Sequence, residues 1–199
     1  IKCMVNENID YAEHHQFPAD PEGKPLVELS QQLTGELTDS QKELKDALLQ
    51  ISPVPVSFQP IEGSANGFYS LDKNVITVDS TLSEKQSVKT LIHEIAHATI
   101  HNINIPDVPK DSPTREVQAE SIAYVVCKYF GMDVSDYSFG YIAGWSTGKN
   151  TKELKESLEI IRDTSNNIIS KTEQTLTQMQ SVKQKVSETI QPRRRGRCM

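Results

Sequence analysis

The spacing of apolar residues along the first half of the chain predicts helix, then strands. Leucines between residues 26 and 51 recur at the three- and four-residue intervals of one amphipathic helix or two short ones, with an interruption near Thr34-Gly35. Residues 53–58 carry two prolines, which are typical of an edge strand. Two short β-like runs at 65–70 and 74–79 then indicate a hairpin, and the apolar part of the second run offers an edge where an extended peptide could dock.

The second half of the chain is predicted to be helical. Ser83 is a suitable N-cap for a helix that should run to about residue 102. Another helix is expected to begin at Ser112 and to end at Gly131. From 151 to 190 apolar residues alternate at four- and three-residue spacing, as in a long amphipathic helix. This order of elements predicts an α+β fold with a small β-sheet.

The same pattern divides the chain into four parts. Residues 1–25 are polar and proline-rich, which indicates a linker or arm, and 26–150 are expected to form one compact domain. The helix at 151–190 would pack on that domain or extend from it, and 191–199 form a basic tail. The chain opens on Ile1, which suggests a piece of a longer polypeptide whose other domains would be partners.

Composition narrows the class of protein. The 199 residues carry a formal net charge of -6, with 36% hydrophobic and 24% charged residues, so direct nucleic-acid binding is not expected. No stretch approaches the roughly 20 apolar residues of a membrane span. Three separated cysteines favour a reducing cytoplasm over a disulfide framework, and Cys127 has the surroundings of a small buried hydrophobic residue.

The strongest chemical signal is the His-Glu-x-x-His motif formed by His93, Glu94 and His97. Histidines four residues apart lie on one face of a helix, so both imidazoles can reach a single zinc ion. A catalytic zinc has three protein ligands and an open position for water. The motif therefore predicts one Zn²⁺ and leaves a third ligand to be found.

Two carboxylates on the following predicted helix are candidates for that ligand. Glu116 and Glu120 are four residues apart among apolar residues, where burial of a carboxylate without a cation would be costly. They could otherwise form a solvated stripe. We expect Glu116 to bind the metal and Glu120 to orient a ligand histidine through its other ring nitrogen, although the sequence also allows the reverse assignment.

This set of residues predicts hydrolysis of a peptide bond, as in a zinc metalloendopeptidase acting on a protein or peptide. Glu94 is placed to accept a proton from a zinc-activated water and to pass it to the leaving amine. A group that stabilises the oxyanion is also expected. His101, Tyr124 and Tyr137 are candidates for this role or for substrate contacts, and spacing selects none of them.

The two motifs together resemble a known family. Residues 93–101, HEIAHATIH, and 115–123, REVQAESIA, are similar to the zincin domain of ArdC-like antirestriction proteins and of ImmA/IrrE-like metallopeptidases. Residues 141–145, YIAGW, are similar to the ArdC pattern, and the resemblance covers roughly 65–170. It implies a zincin-like, gluzincin-type domain with a glutamate as third ligand, carried by mobile genetic elements or by stress and phage-repressor systems.

Two functions of other classes remain open from the sequence. The zinc could be structural, in an antirestriction or DNA-associated module that acts through its acidic surface. The helix at 151–190 could alternatively be a scaffold for partner domains. Glu94 separates the first alternative from an enzyme, because a closed structural site has no need of that carboxylate.

Overall fold

The computed structural model describes residues 32–102, 112–134 and 150–190, and these ranges form an α+β fold. The predicted arm, the basic tail and the motif at 141–145 lie outside the described residues. The elements in chain order are helix α1 (Asp39–Ile51), strands β1 (Val56–Gln59), β2 (Gly67–Ser70) and β3 (Val75–Asp79), and helices α2 (Glu84–Ile100), α3 (Ser112–Tyr129) and α4 (Thr151–Ile190).

The three strands form one small mixed sheet in the order β1-β3-β2. β1 runs parallel to β3, whereas β2 and β3 form the predicted antiparallel hairpin. Among the described strands β1 lies at an edge of the sheet, as expected. The expectation that residues 75–78 offer a docking edge is wrong, because β3 has a strand on each side and Ile76 and Val78 are fully buried.

Helix α1 begins later than the leucine spacing predicts. Residues 32–38 are not helical, because their backbone is hydrogen-bonded to side chains in the first turn of α2. The backbone N–H of Leu33 donates to Gln86 Oε1 at 2.9 Å, and that of Leu37 donates to Glu84 Oε2 at 2.7 Å. Thr38 then starts α1 with a capping box. Ser83 caps α2 as predicted, accepting from the N–H of Gln86 at 3.2 Å.

The long helix α4 packs along α1 and α3. Ile161, Ile168 and Ile169 are buried in the same hydrophobic core as the sheet and α2. Toward its C-terminus, Lys183 Nζ contacts Glu43 Oε1 of α1 at 2.8 Å. The division of the chain at residue 150 remains a prediction. Across the described ranges we find no helix with the length and apolarity to cross a membrane.

Cys127 on α3 is expected to resist alkylation in the folded protein. Its side chain is fully buried, and burial raises the pKa of the thiol to about 12. At pH 8 we expect iodoacetamide to label Cys127 more than about a hundredfold more slowly in the folded chain than in urea, because so little thiolate is present. Mass spectrometry of the peptide that contains Cys127 measures both rates. Equal rates would contradict its burial.

Candidate metal centre

Helices α2 and α3 bring three predicted ligands to one point. His93 and His97 are one turn apart on α2, and their Nε2 atoms are 3.0 Å from each other. Glu116, one turn into α3, places Oε2 3.4 Å from His93 Nε2 and Oε1 3.5 Å from His97 Nε2. All three side chains are partly exposed. One nitrogen or oxygen atom from each side chain lies within 4.8 Å of the other two, so the three residues could hold one metal ion.

The separations of these atoms fit a tetrahedral metal site. Ligand atoms at 2.0–2.2 Å from a tetrahedral zinc lie roughly 3.3–3.6 Å from one another. The two Glu116 distances, one from each carboxylate oxygen, fall in this range, and the two histidine nitrogens are slightly closer to each other. Two imidazoles and one carboxylate are also the donor set of a catalytic zinc site, which keeps its fourth position open.

Glu120 lies behind His93. Its Oε2 is 3.2 Å from His93 Nδ1, and its Oε1 is 2.6 Å from the ammonium of Lys89. A carboxylate in this position accepts the Nδ1 proton and leaves Nε2 free to bind a metal. Burial by itself would raise the pKa of Glu120, but His93 and Lys89 lower it, so the carboxylate stays ionised.

His101 lies behind His97 on the next turn of the helix. Its Nδ1 is 2.8 Å from His97 Nδ1, and its Nε2 is 2.9 Å from Gln118 Oε1. Burial, then the neighbouring His97, lower the pKa of His101 to about 4, so its ring is neutral at pH 7. With both ring nitrogens engaged, His101 is placed to orient His97. The arrangement does not support its predicted contact with a substrate.

Two tyrosines were also proposed from the sequence as oxyanion or substrate contacts. Tyr124 is half-buried and packs against the hydrophobic core. Tyr137 lies outside the described residues. Their roles as oxyanion or substrate contacts therefore stay predictions.

Glu94 is buried on the same helix as His93 and His97 and faces strand β2. Burial raises the pKa of its carboxyl group, while His93, His97 and a hydrogen bond from the backbone N–H of Tyr69 lower it. The strand can approach so closely because residue 67 is glycine. A Cβ at Gly67 would be 2.7 Å from Thr90 Cγ2. The sheet thus packs directly against the carboxylate that the sequence predicts to be a general base.

The carboxylates make the site favourable for a cation. Burial by itself would lower the pKa of His93, but hydrogen bonds with Glu116 and Glu120 and the nearby charge of Glu94 raise it to about 10. In the protein without metal, a second proton on the His93 imidazole supplies the positive charge that these carboxylates stabilise. A bound dication would supply positive charge at the same place and would displace that proton.

Sequence reasoning missed Lys89 as part of the site. Its side chain is only 2% exposed, and its ammonium pairs with the carboxylate of Glu120. Lysines are rarely buried without such a paired anion. A signal was present, since Lys89, His93, His97 and His101 follow one another at four-residue intervals along the sequence. Such a stripe indicates one polar face. The partner of Lys89 on another helix could not be found from spacing.

Replacing Lys89 with methionine should destabilise the folded chain by about 3–5 kcal/mol, because the substitution removes one partner of a buried ion pair, the ammonium that lies 2.6 Å from Glu120 Oε1. Urea unfolding measures the change. The double variant Lys89→Met/Glu120→Gln should recover part of the loss, since the charge of the carboxylate is removed together with that of the ammonium. The same substitution at the exposed Lys155 is the control. A stability equal to wild type in Lys89→Met would contradict the buried ion pair.

A protein-family model matches the part of the chain that carries this site. Residues 50–138 match the Peptidase_M78 family model, described as an IrrE N-terminal-like domain, which supports the ImmA/IrrE part of the resemblance. That range contains β1 to α3 and all three predicted metal ligands. The ArdC part is untested by this match.

A curated relative extends the similarity over most of the chain. The uncharacterized protein pXO2-81 of Bacillus anthracis is 28% identical over 188 residues, which cover 87% of this chain and 32% of the relative. The chain thus spans about a third of the length of that protein. No solved structure matches the chain.

Proposed function

We propose that this chain is a zinc metallopeptidase related to the IrrE N-terminal-like domains, with His93, His97 and Glu116 as zinc ligands. The observation that carries the proposal is the convergence of these three ligand atoms next to the buried carboxylate of Glu94. A zinc ion bound there would supply a Lewis acid and lower the pKa of its water to about 7.

The residues around that position have separate tasks. Glu94 accepts the proton of the attacking water and delivers it to the leaving amine. Strand β2 lies directly beside this carboxylate, since a Cβ at Gly67 would be 3.4 Å from Glu94 Cγ. Glu120 accepts a hydrogen bond from Nδ1 of His93, and His101 accepts one from Nδ1 of His97. These contacts leave Nε2 of both histidines to bind the metal.

A catalytic role fits the donor set better than a structural zinc. Structural sites are closed by four protein ligands. In the described ranges the cluster has three members, His93, His97 and Glu116, and the adjacent Glu94 turns toward β2. This arrangement favours the hydrolase over the binding module with structural zinc.

Strand β2 is the proposed place for a peptide substrate. Within the described residues β3 is its one strand neighbour, and β2 lies against α2 beside Glu94. An extended peptide could add to its other edge through main-chain hydrogen bonds. We propose proteins or peptides as substrates, a cytoplasmic location, and an antirestriction or other mobile-element role within a longer polypeptide.

The proposal is tested with a peptide library made by digesting a bacterial proteome. The zinc-loaded chain should produce new peptide termini that mass spectrometry detects, and a chelator should abolish them until zinc is restored. A parallel incubation with the His93→Ala variant controls for contaminating peptidases. Termini that appear equally with this variant would contradict the proposal.

A further inference from the structure

A chain of buried polar side chains connects helix α4 to the metal centre. Ser157 of α4 lies 3.1 Å from Gln118 Nε2, and Gln118 Oε1 lies 2.9 Å from His101 Nε2. His101 Nδ1 in turn lies 2.8 Å from Nδ1 of the proposed ligand His97. Ser157, Gln118 and His101 are each at most 5% exposed. Three helices thus contribute to one continuous connection.

The hydrogen-bond donors and acceptors along this connection match when His97 binds a metal through Nε2. The Nδ1 of His97 then carries the proton and donates to His101 Nδ1. His101 must consequently carry its proton on Nε2, where Gln118 Oε1 accepts it. The amide of Gln118 is left to donate from Nε2 to Ser157 Oγ. Each hydrogen bond fixes the direction of the next.

We propose that Gln118 and Ser157 are positioning residues for the metal centre, and that the packing of α4 against α3 thereby contributes to metal affinity. Gln118 holds His101 in the one tautomer that can accept from His97. Ser157 fixes the orientation of the Gln118 amide. This inference rests on the proposed metal site and adds a requirement for α4 to it.

A second buried serine on α4, Ser165, differs from Ser157 in its hydrogen bonding. Ser165 is 1% exposed, and its Oγ has no hydrogen-bond partner within the part of the chain that the structure describes. Both serines belong to the face of α4 that is packed on the domain. Burial alone therefore does not account for the contact between Ser157 and Gln118, and Ser165 provides a matched control.

Zinc affinity of the full chain, measured by competition with a chromophoric chelator, tests the inference. Gln118→Met removes the acceptor at similar volume and should weaken zinc binding by about tenfold or more. Gln118→Glu keeps an acceptor for His101 and should retain most of the affinity. Ser157→Ala should weaken binding by at least about twofold, as expected for the loss of one hydrogen bond. Ser165→Ala should bind zinc like wild type.

A nitrogen NMR measurement on the zinc-loaded chain gives a readout that a purely structural role would not move. In wild type, His97 should be protonated on Nδ1 and His101 on Nε2. Gln118→Met should disturb the His101 signals, whereas Ser165→Ala should not. If Gln118→Met does not fold, the inference is tested by comparing the zinc affinities of Ser157→Ala and Ser165→Ala.

The outcomes separate this inference from the function on which it rests. Zinc binding by wild type with unchanged affinity in Gln118→Met and Ser157→Ala would overturn the inference and leave the metal site intact. No zinc binding by wild type would overturn the proposed function, and this inference with it. Equal losses in Ser157→Ala and Ser165→Ala would show that packing of α4, and not the polar connection, affects the site.

Discussion

The Glu94→Gln variant is expected to bind zinc normally and to lose its hydrolytic activity. The glutamine amide keeps the size of the side chain but cannot accept a proton from water. Loss of a general base typically lowers kcat by about 10²–10⁴-fold. The measurement is kcat on a peptide found in the library experiment, together with the zinc content of the same sample.

The exposed Glu159 on α4 provides the matched control for this prediction. Glu159→Gln makes the same chemical change far from the proposed ligands along the chain and should leave kcat unaltered. Activity in Glu94→Gln equal to that of wild type would contradict the proposed mechanism. Loss of zinc together with activity would instead mean that Glu94 contributes to metal binding.

Replacing Glu116 with glutamine should weaken zinc binding more than any substitution behind the histidines. The variant removes an anionic ligand that lies within 3.5 Å of both histidine nitrogens. We expect a loss of more than about a hundredfold, beyond the 10–100-fold that is typical for a residue that only orients a ligand. Chelator competition measures this change.

Comparison with Glu120→Gln decides which of the two carboxylates binds the metal and which orients His93. An amide oxygen can still accept from His93 Nδ1, so the loss of affinity should be the smaller of the two. A greater loss in Glu120→Gln than in Glu116→Gln would favour the reverse assignment, which the sequence left open.

The sequence was sufficient for the features that depend on local spacing. The four-residue interval between His93 and His97 places both imidazoles on one helix face, and Ser83 marks where that helix starts. The turn at 71–73 separates two β-like runs, which form the hairpin. Glu116 and Glu120 share a face of α3 for the same reason as the histidines, so their convergence could be expected before any coordinates.

Features that depend on packing between distant segments could not be predicted. The prolines before β1 do not say which strand is central, and the central position of β3 follows from how β1 returns to pair with it. Gln118 is offset by two residues from Glu116, so helical periodicity gives no link to the site. Ser157 is 39 residues from Gln118, and a serine in an amphipathic helix carries no local signal of a polar partner.

Anomalous diffraction from a crystal grown with zinc is the most direct test of the metal centre. Data collected on both sides of the zinc absorption edge should show one strong peak per chain, at about 2.0–2.2 Å from Nε2 of His93, Nε2 of His97 and a carboxylate oxygen of Glu116. A fourth position occupied by a water molecule would complete the predicted site. A peak bound by other residues, or no peak in a protein with these side chains ordered, would contradict the account.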